Sequence, residues 1–241
     1  MDTYAYLIFS LFLLGVWLIV FFSARSGSRP EIRRVSFWTM WLALTEPFFV
    51  PAYWNPPTLF DLARRAGFDL ESFIFCFAVG GIVVVMYEAL LPARHVKMPA
   101  GEHRRGRHRF HFWAVVSAPI AFLLLLAATS FNPIYAAMIA LVAGFFATWY
   151  CRPDLVSKML VSGALFTGVY FVTFLLLNFT FPGYVQAVWN FAAISGVLIS
   201  GVPLEELLWA FSFGLYWSSV YEHFSWYRLK KVLNEKLNAR V

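Results

Sequence analysis

Residues 202–223 read VPLEELLWAFSFGLYWSSVYEH, and residues 68–89 read FDLESFIFCFAVGGIVVVMYEA. At an offset of 134, Leu70, Glu71, Phe77, Gly80, Tyr87 and Glu88 fall on Leu204, Glu205, Phe211, Gly214, Tyr221 and Glu222. At an offset of 135, Thr45, Pro47, Trp54 and Asn55 fall on Thr180, Pro182, Trp189 and Asn190. Such matches, with acids kept inside apolar segments, describe a duplicated membrane unit. Ionisable groups at membrane depth are costly and mark function, so chemistry is expected where the two copies meet.

Composition supports the membrane reading. The 241 residues are 61% apolar and 13% charged, whereas soluble domains run nearer half apolar and a quarter charged. Apolar runs long enough to span a bilayer fall at residues 4–23, 35–50, 70–91, 112–129, 133–150, 155–179 and 202–223, giving an all-α polytopic protein of seven helices. Residues 184–200 are apolar enough to imitate an eighth. Lys and Arg collect in cytoplasmic loops, and 17 of the 19 share one side under this count, only Arg64 and Arg65 falling opposite. The amino terminus is therefore expected outside and the carboxyl terminus in the cytoplasm, in a bacterial inner membrane. The net charge of +6 follows from this topology. Basic loops beside a bilayer meet anionic headgroups, so no nucleic-acid partner is implied.

The repeat predicts a 3+1+3 arrangement. Residues 1–91 hold the first three-helix unit, 92–130 a basic loop and linking helix, 131–225 the second unit and 226–241 a basic tail. The linking helix makes the two units parallel, so Glu71 and Glu205 both open inward-running helices. Between the second and third helices, Asn55-Pro56-Pro57 breaks the chain, and Thr58 with Asp61 reads as a capping box for one short interfacial helix. The uncharged counterpart, residues 184–200, is expected to tuck into the membrane as a re-entrant or lid segment. Four of the five histidines lie between His95 and His111, at spacings that match no zinc pattern. That loop, Cys76 and Cys151 are read as carrying no metal or disulfide.

The candidate catalytic groups are acids. Asp69, Glu71, Glu205 and Glu206 stand at helix starts, where acids also serve as ordinary partners of free backbone donors. The repeat favours Glu71 and Glu205, because capping does not demand the same acid at the same register. Glu206 is about 100° around the helix from Glu205 and matches Ser72. Glu46 has no capping role and matches Phe181. Glu88 and Glu222 are read as structural, near Arg94 and His223. A fifth of the chain is aromatic, and Tyr53, Trp54, Phe75, Trp189, Trp209 and Tyr216 cluster around the acids as candidate substrate-binding walls, aromatic faces being good neighbours for a cation.

Pro203-Leu204-Glu205-Glu206, with the apolar run to Tyr221-Glu222, resembles the membrane-integral lycopene cyclases of the fused two-half type, over nearly the whole chain. The family shares a parallel three-helix repeat, a linking helix and a Pro-x-Glu-Glu motif opening each half's last helix. The first half here has Asp69-Leu70-Glu71-Ser72, without the proline and the second acid. The resemblance implies redox-neutral cyclisation of the acyclic ends of a carotenoid such as lycopene to β-rings, with no cofactor. No G-x-G-x-x-G stretch is present. Protonating an alkene carbon needs a neutral carboxylic acid, which burial and a neighbouring carboxylate favour. The expected roles are Glu205 as proton donor, Glu71 as its coupled partner, and Glu46 or Glu206 as acceptor of the ring proton. The partners implied are a lipophilic carotenoid entering laterally, membrane lipid and other carotenoid-pathway enzymes. Open alternatives are a carotenoid hydratase or isomerase, a small transporter and a non-enzymatic carotenoid-binding protein. A retinal protein is excluded because the seventh helix has no lysine.

Overall fold

The computed structural model describes residues 3–104 and 106–231. Arg105 and residues 232–241 of the expected basic tail lie outside the described residues. The chain is mostly helical, and four helical segments are long and apolar enough to cross a membrane: Ala5–Ser23, Gly106–Ala128, Pro133–Cys151 and Pro153–Thr180. These mark it as an integral membrane protein. Large apolar side chains on their outer faces, Ile19, Phe22 and Phe179 among them, are exposed, as lipid contact requires.

Helix α1 (Ala5–Ser23) is followed by α2 (Arg29–Met40), a 3-10 turn at Trp41–Thr45 and α3 (Glu46–Phe49). The expected second helix is thus one run in three pieces. A loop carrying α4 (Leu62–Ala66) leads to α5 (Leu70–Val83) and α6 (Met86–Leu90), then to β1 (Ala93–Lys97) and α7 (Ala100–His103). Helices α8 (His111–Ala128), α9 (Pro133–Cys151) and α10 (Val156–Thr180) are unbroken. After α11 (Tyr184–Val188), strands β2 (Leu198–Ile199) and β3 (Val202–Pro203) form a small hairpin before α12 (Leu204–Trp217), α13 (Val220–Ser225) and β4 (Tyr227–Lys231). Residues 184–200 are therefore a short helix, a loop and the first strand of the hairpin. The start of the basic tail pairs antiparallel with β1, Ala93 opposite Lys231.

Helix α5 packs on α1 and α2, α12 packs on α9 and α10, and α8 packs on α9. Two crossings are close because they contain glycine. A Cβ on Gly80 would run into the Thr39 side chain, and one on Gly214 into the backbone of Gly163. Hydrogen bonds reinforce the helix contacts: Trp17 Nε1 donates to Ser36 Oγ (2.8 Å) and Trp217 Nε1 to Thr39 Oγ1 (2.6 Å), the latter joining α12 to α2.

The expected Thr58–Asp61 capping box does not form. Asp61 adopts a left-handed conformation and makes no side-chain cap. The acceptor comes instead from across the loop, where Asp69 Oδ1 receives Thr58 Oγ1 and the Ala63 amide, both at 2.9 Å. Its carboxylate thus satisfies an orphan donor at the start of α4.

At the end of the bundle where α6, α10 and α13 meet, Lys158 is buried among three acids. Its Nζ donates to Glu31 (3.0 Å), Glu88 (2.9 Å) and Glu222 (2.5 Å), and His95 Nε2 stands 2.9 Å from Glu222. The partners shown for Glu88 and Glu222 are thus Lys158 and His95. Buried charges must be paired, so this cluster ties α2, α6, α10, β1 and α13 together. Removing the shared cation leaves uncompensated acids. Lys158→Met is expected to cost about 3–5 kcal/mol, read as a lower denaturation midpoint in detergent, and an unchanged midpoint would show that the cluster holds nothing.

Candidate active site

A cavity of about 340 Å³ lies between the two groups of packed helices, with Glu46 and Glu206 both in its wall. Both acids are buried. Glu206 sits in the first turn of α12 and turns inward, where three donors meet it. Tyr53 Oη donates to Oε1 (2.6 Å), Trp189 Nε1 to Oε1 (2.9 Å) and Tyr170 Oη to Oε2 (2.8 Å). An ionised carboxylate only accepts, and an indole N–H only donates, so this shell fits a carboxylate. Glu46 opens α3, just after the 3-10 turn. Its Oε2 accepts the Asp69 amide (2.6 Å) and its Oε1 the Ser72 hydroxyl (2.8 Å). Ser72 has one hydrogen to give, so Tyr6, 3.0 Å away, donates to it. Tyr6, Ser72 and Glu46 form a chain of groups able to exchange protons.

Aromatic rings make most of the remaining wall. Trp54 and Trp189 lie 5.5 Å apart, centroid to centroid, and Trp209 lies 5.5 Å from Tyr170 and 6.0 Å from Phe75. The two tryptophans are brought together by a short antiparallel bridge. The Asn55 amide donates to the Val188 carbonyl and the Asn190 amide to the Tyr53 carbonyl, both at 2.9 Å. On the far side, Pro119, Phe122 and Leu123 of α8 close the space. Leu123 lines the cavity and is also 56% exposed on the outer surface, so the cavity reaches the lipid side beside α8. Phe122 stacks on Phe49 at 5.9 Å there.

The remaining candidate residues lie elsewhere. Glu71 and Glu205 are buried but are not among the residues lining the cavity. Glu71 Oε1 accepts the Leu59 amide, and Glu205 Oε1 accepts the Ser195 amide, both at 2.9 Å, with Tyr135 Oη also on Glu205 at 2.8 Å. Each acid at a helix start therefore holds the loop that precedes it. Asp69 serves α4 as described, and its own amide holds Glu46 in place. Of the six aromatic candidates, Tyr53, Trp54, Phe75, Trp189 and Trp209 line the cavity. Tyr216 does not. Pro119 inside α8 has no N–H, which leaves the Val115 carbonyl one turn back without its helical partner. The Tyr216 hydroxyl donates to that carbonyl. Tyr6, Ser72 and Tyr170 were not among the site residues expected from the sequence. Nothing in a serine or a helix-interior tyrosine announces an acid beside it, although Ser72 did stand out as the position matched to Glu206.

A sequence model of the lycopene cyclase family matches residues 132–224. The matched stretch contains Tyr170, Trp189, Glu206 and Trp209 and stops short of Glu46, Tyr53 and Ser72. Searches of curated proteins and of solved structures found no match.

Tyr216→Phe leaves a buried carbonyl unpaired. It is expected to cost about 1–3 kcal/mol of stability, measured by denaturation in detergent, and a variant as stable as the parent would show that the bond from Tyr216 to the Val115 carbonyl holds nothing.

Proposed function

We propose that this protein closes the acyclic end of a carotenoid such as lycopene into a ring by proton-initiated, redox-neutral chemistry inside the membrane. One observation carries the reading: two acids, Glu46 and Glu206, face one aromatic-walled apolar cavity. The lycopene cyclase match over residues 132–224 supports the substrate class. A cavity of this size is at the lower end of small-molecule sites and holds one end of a long polyene, the remainder leaving past Leu123 into lipid.

In this reading Glu46 delivers the proton. Its link to Ser72 and Tyr6 runs through hydroxyls that both donate and accept, so the chain reverses as the proton moves. The proton adds to the less substituted carbon of the terminal alkene, the tertiary cation formed at the other carbon is captured by a second alkene to close the ring, and Glu206 takes the proton lost from the ring carbon. Redox state is unchanged. Glu206 suits the accepting role because three donors surround it, and Trp54, Trp189, Trp209 and Phe75 offer π-faces to the cation while excluding water. Glu71, Glu205 and Asp69 then act by holding the loops that roof the cavity.

We further propose seven crossings in a fused, parallel 3+1+3 repeat, with units at residues 1–91 and 131–225, the linking helix between them, and the Lys158 end in the cytoplasm. Several correspondences support this. Helices α5 and α12 begin and end 134 residues apart, as do strands β1 and β4, which pair with each other. The Trp54–Trp189 bridge joins matched residues, and the matched Gly80 and Gly214 each lie at a close crossing. Basic residues cluster around the Lys158 end, as the positive-inside rule requires.

The test is pigment chromatography from a lycopene-accumulating bacterial host expressing the chain. Ring-bearing products are expected from the parent, with Glu46→Gln and Glu206→Gln each lowering conversion about 100-fold or more. Glu71→Gln and Glu205→Gln should retain turnover per inserted molecule. Full turnover by Glu206→Gln would sink the assignment and return the chemistry to the Glu71 and Glu205 pair.

A further inference from the structure

Outside the cavity, two groups of metal-capable side chains converge among the described residues: Glu31, Glu88, His95 and Glu222, and His108, His111 and Cys151. The first already surrounds a cation, the Lys158 ammonium. The second does not. His108 Nδ1 lies 3.3 Å and His111 Nδ1 3.4 Å from the Cys151 sulfur, and all three donor atoms fall within 4.8 Å of one another.

These spacings resemble those that a metal imposes. With Zn–S about 2.3 Å and Zn–N about 2.0–2.1 Å, a tetrahedral ion sets its sulfur and nitrogen ligands roughly 3.6 Å apart. A thiol is only a weak donor and a weak acceptor, whereas a thiolate and two imidazoles are ordinary zinc ligands. The surroundings suit a bound ion. His223 packs edge-on against His111, ring centroids 4.5 Å apart, and so holds the orientation of that ring. Trp226 stacks on His111 at 3.7 Å and shields it. Two cations stand near, Arg107 beside His108 in sequence and Arg152 beside Cys151. Arg152 is already committed, its Nε and Nη2 donating to Asp154 at 2.9 and 2.7 Å, and a Cys151 thiolate would add a further negative charge.

We propose that His108, His111 and Cys151 form a zinc site. The thiol gives up its proton on binding, and the fourth position is left for a water molecule. The two histidines precede and open α8, while Cys151 ends α9. The ion therefore clamps the basic loop and the linking helix to the second group of helices, at the end opposite the Trp54–Trp189 bridge. Sequence spacing alone misses the site because its third ligand lies forty residues beyond His111.

The test uses the full chain purified in detergent without a polyhistidine tag. Elemental analysis should find about one zinc per chain, lost from Cys151→Ser and from the His108→Ala/His111→Ala double variant but kept by Cys76→Ser. Cobalt(II) added to metal-stripped protein should give the visible bands of a tetrahedral site with a thiolate charge-transfer band, the latter missing from Cys151→Ser. Zinc should raise the denaturation midpoint of the stripped parent and leave that of Cys151→Ser unmoved, a comparison that is independent of any effect of the substitution on folding. Metal content indifferent to Cys151→Ser, or cobalt spectra without the thiolate band in the parent, would overturn the proposal, as would copper in place of zinc.

Discussion

A carboxylate buried in an apolar cavity is tolerable only when hydrogen-bond donors surround it, and Glu206 finds donors on three separate pieces of chain. Tyr53 comes from the loop after α3, Tyr170 from the middle of α10 and Trp189 from the segment after α11. Satisfying one acid thus requires that the two groups of helices be closed upon each other and that Trp54 and Trp189 meet above it. The bridge between Asn55, Val188, Asn190 and Tyr53 fixes that closure in backbone, and the Lys158 cluster fixes the opposite end in charge. Between them lies an apolar space with two acids in its wall.

Hydropathy along the sequence made the long helices legible. Apolar runs found the helices nearly to the residue for α1, α8, α9 and α10, because long apolar spans leave little choice of ends. They missed the breaks at Val84 and Val85 and at Ser218 and Ser219, where apolar or small residues continue the hydropathy while the backbone leaves the helix. They also gave no sign that Lys158, inside the run at 155–179, is the centre of a buried cluster of acids. Its partners come from α2, α6 and α13, and no local pattern displays a pairing made across so much sequence.

The site was only partly legible, and the division is physical. Internal matching of the sequence drew attention to Glu71 and Glu205, and these hold loops through backbone amides. The acids in the cavity are the ones that break the match: Glu206 faces Ser72 across the repeat and Glu46 faces Phe181. In the proposed reaction one substrate end needs one proton donor and one acceptor, and unequal tasks call for unequal residues. One helical step, about 100°, separates an acid that faces a loop from one that faces the cavity, and hydropathy along the helix does not resolve that step. Five of the six aromatic candidates line the same cavity as the two acids, while Tyr216 is taken up by the carbonyl that Pro119 leaves free.

Proton-initiated ring closure is tested most directly by carrying out the conversion in membranes suspended in heavy water and weighing the product by mass spectrometry. Delivery of a solvent-exchangeable proton from Glu46 to carbon, with loss of a different proton to Glu206, places one deuterium in every ring formed. Ring-bearing product that carries no deuterium would contradict acid-initiated chemistry in this cavity.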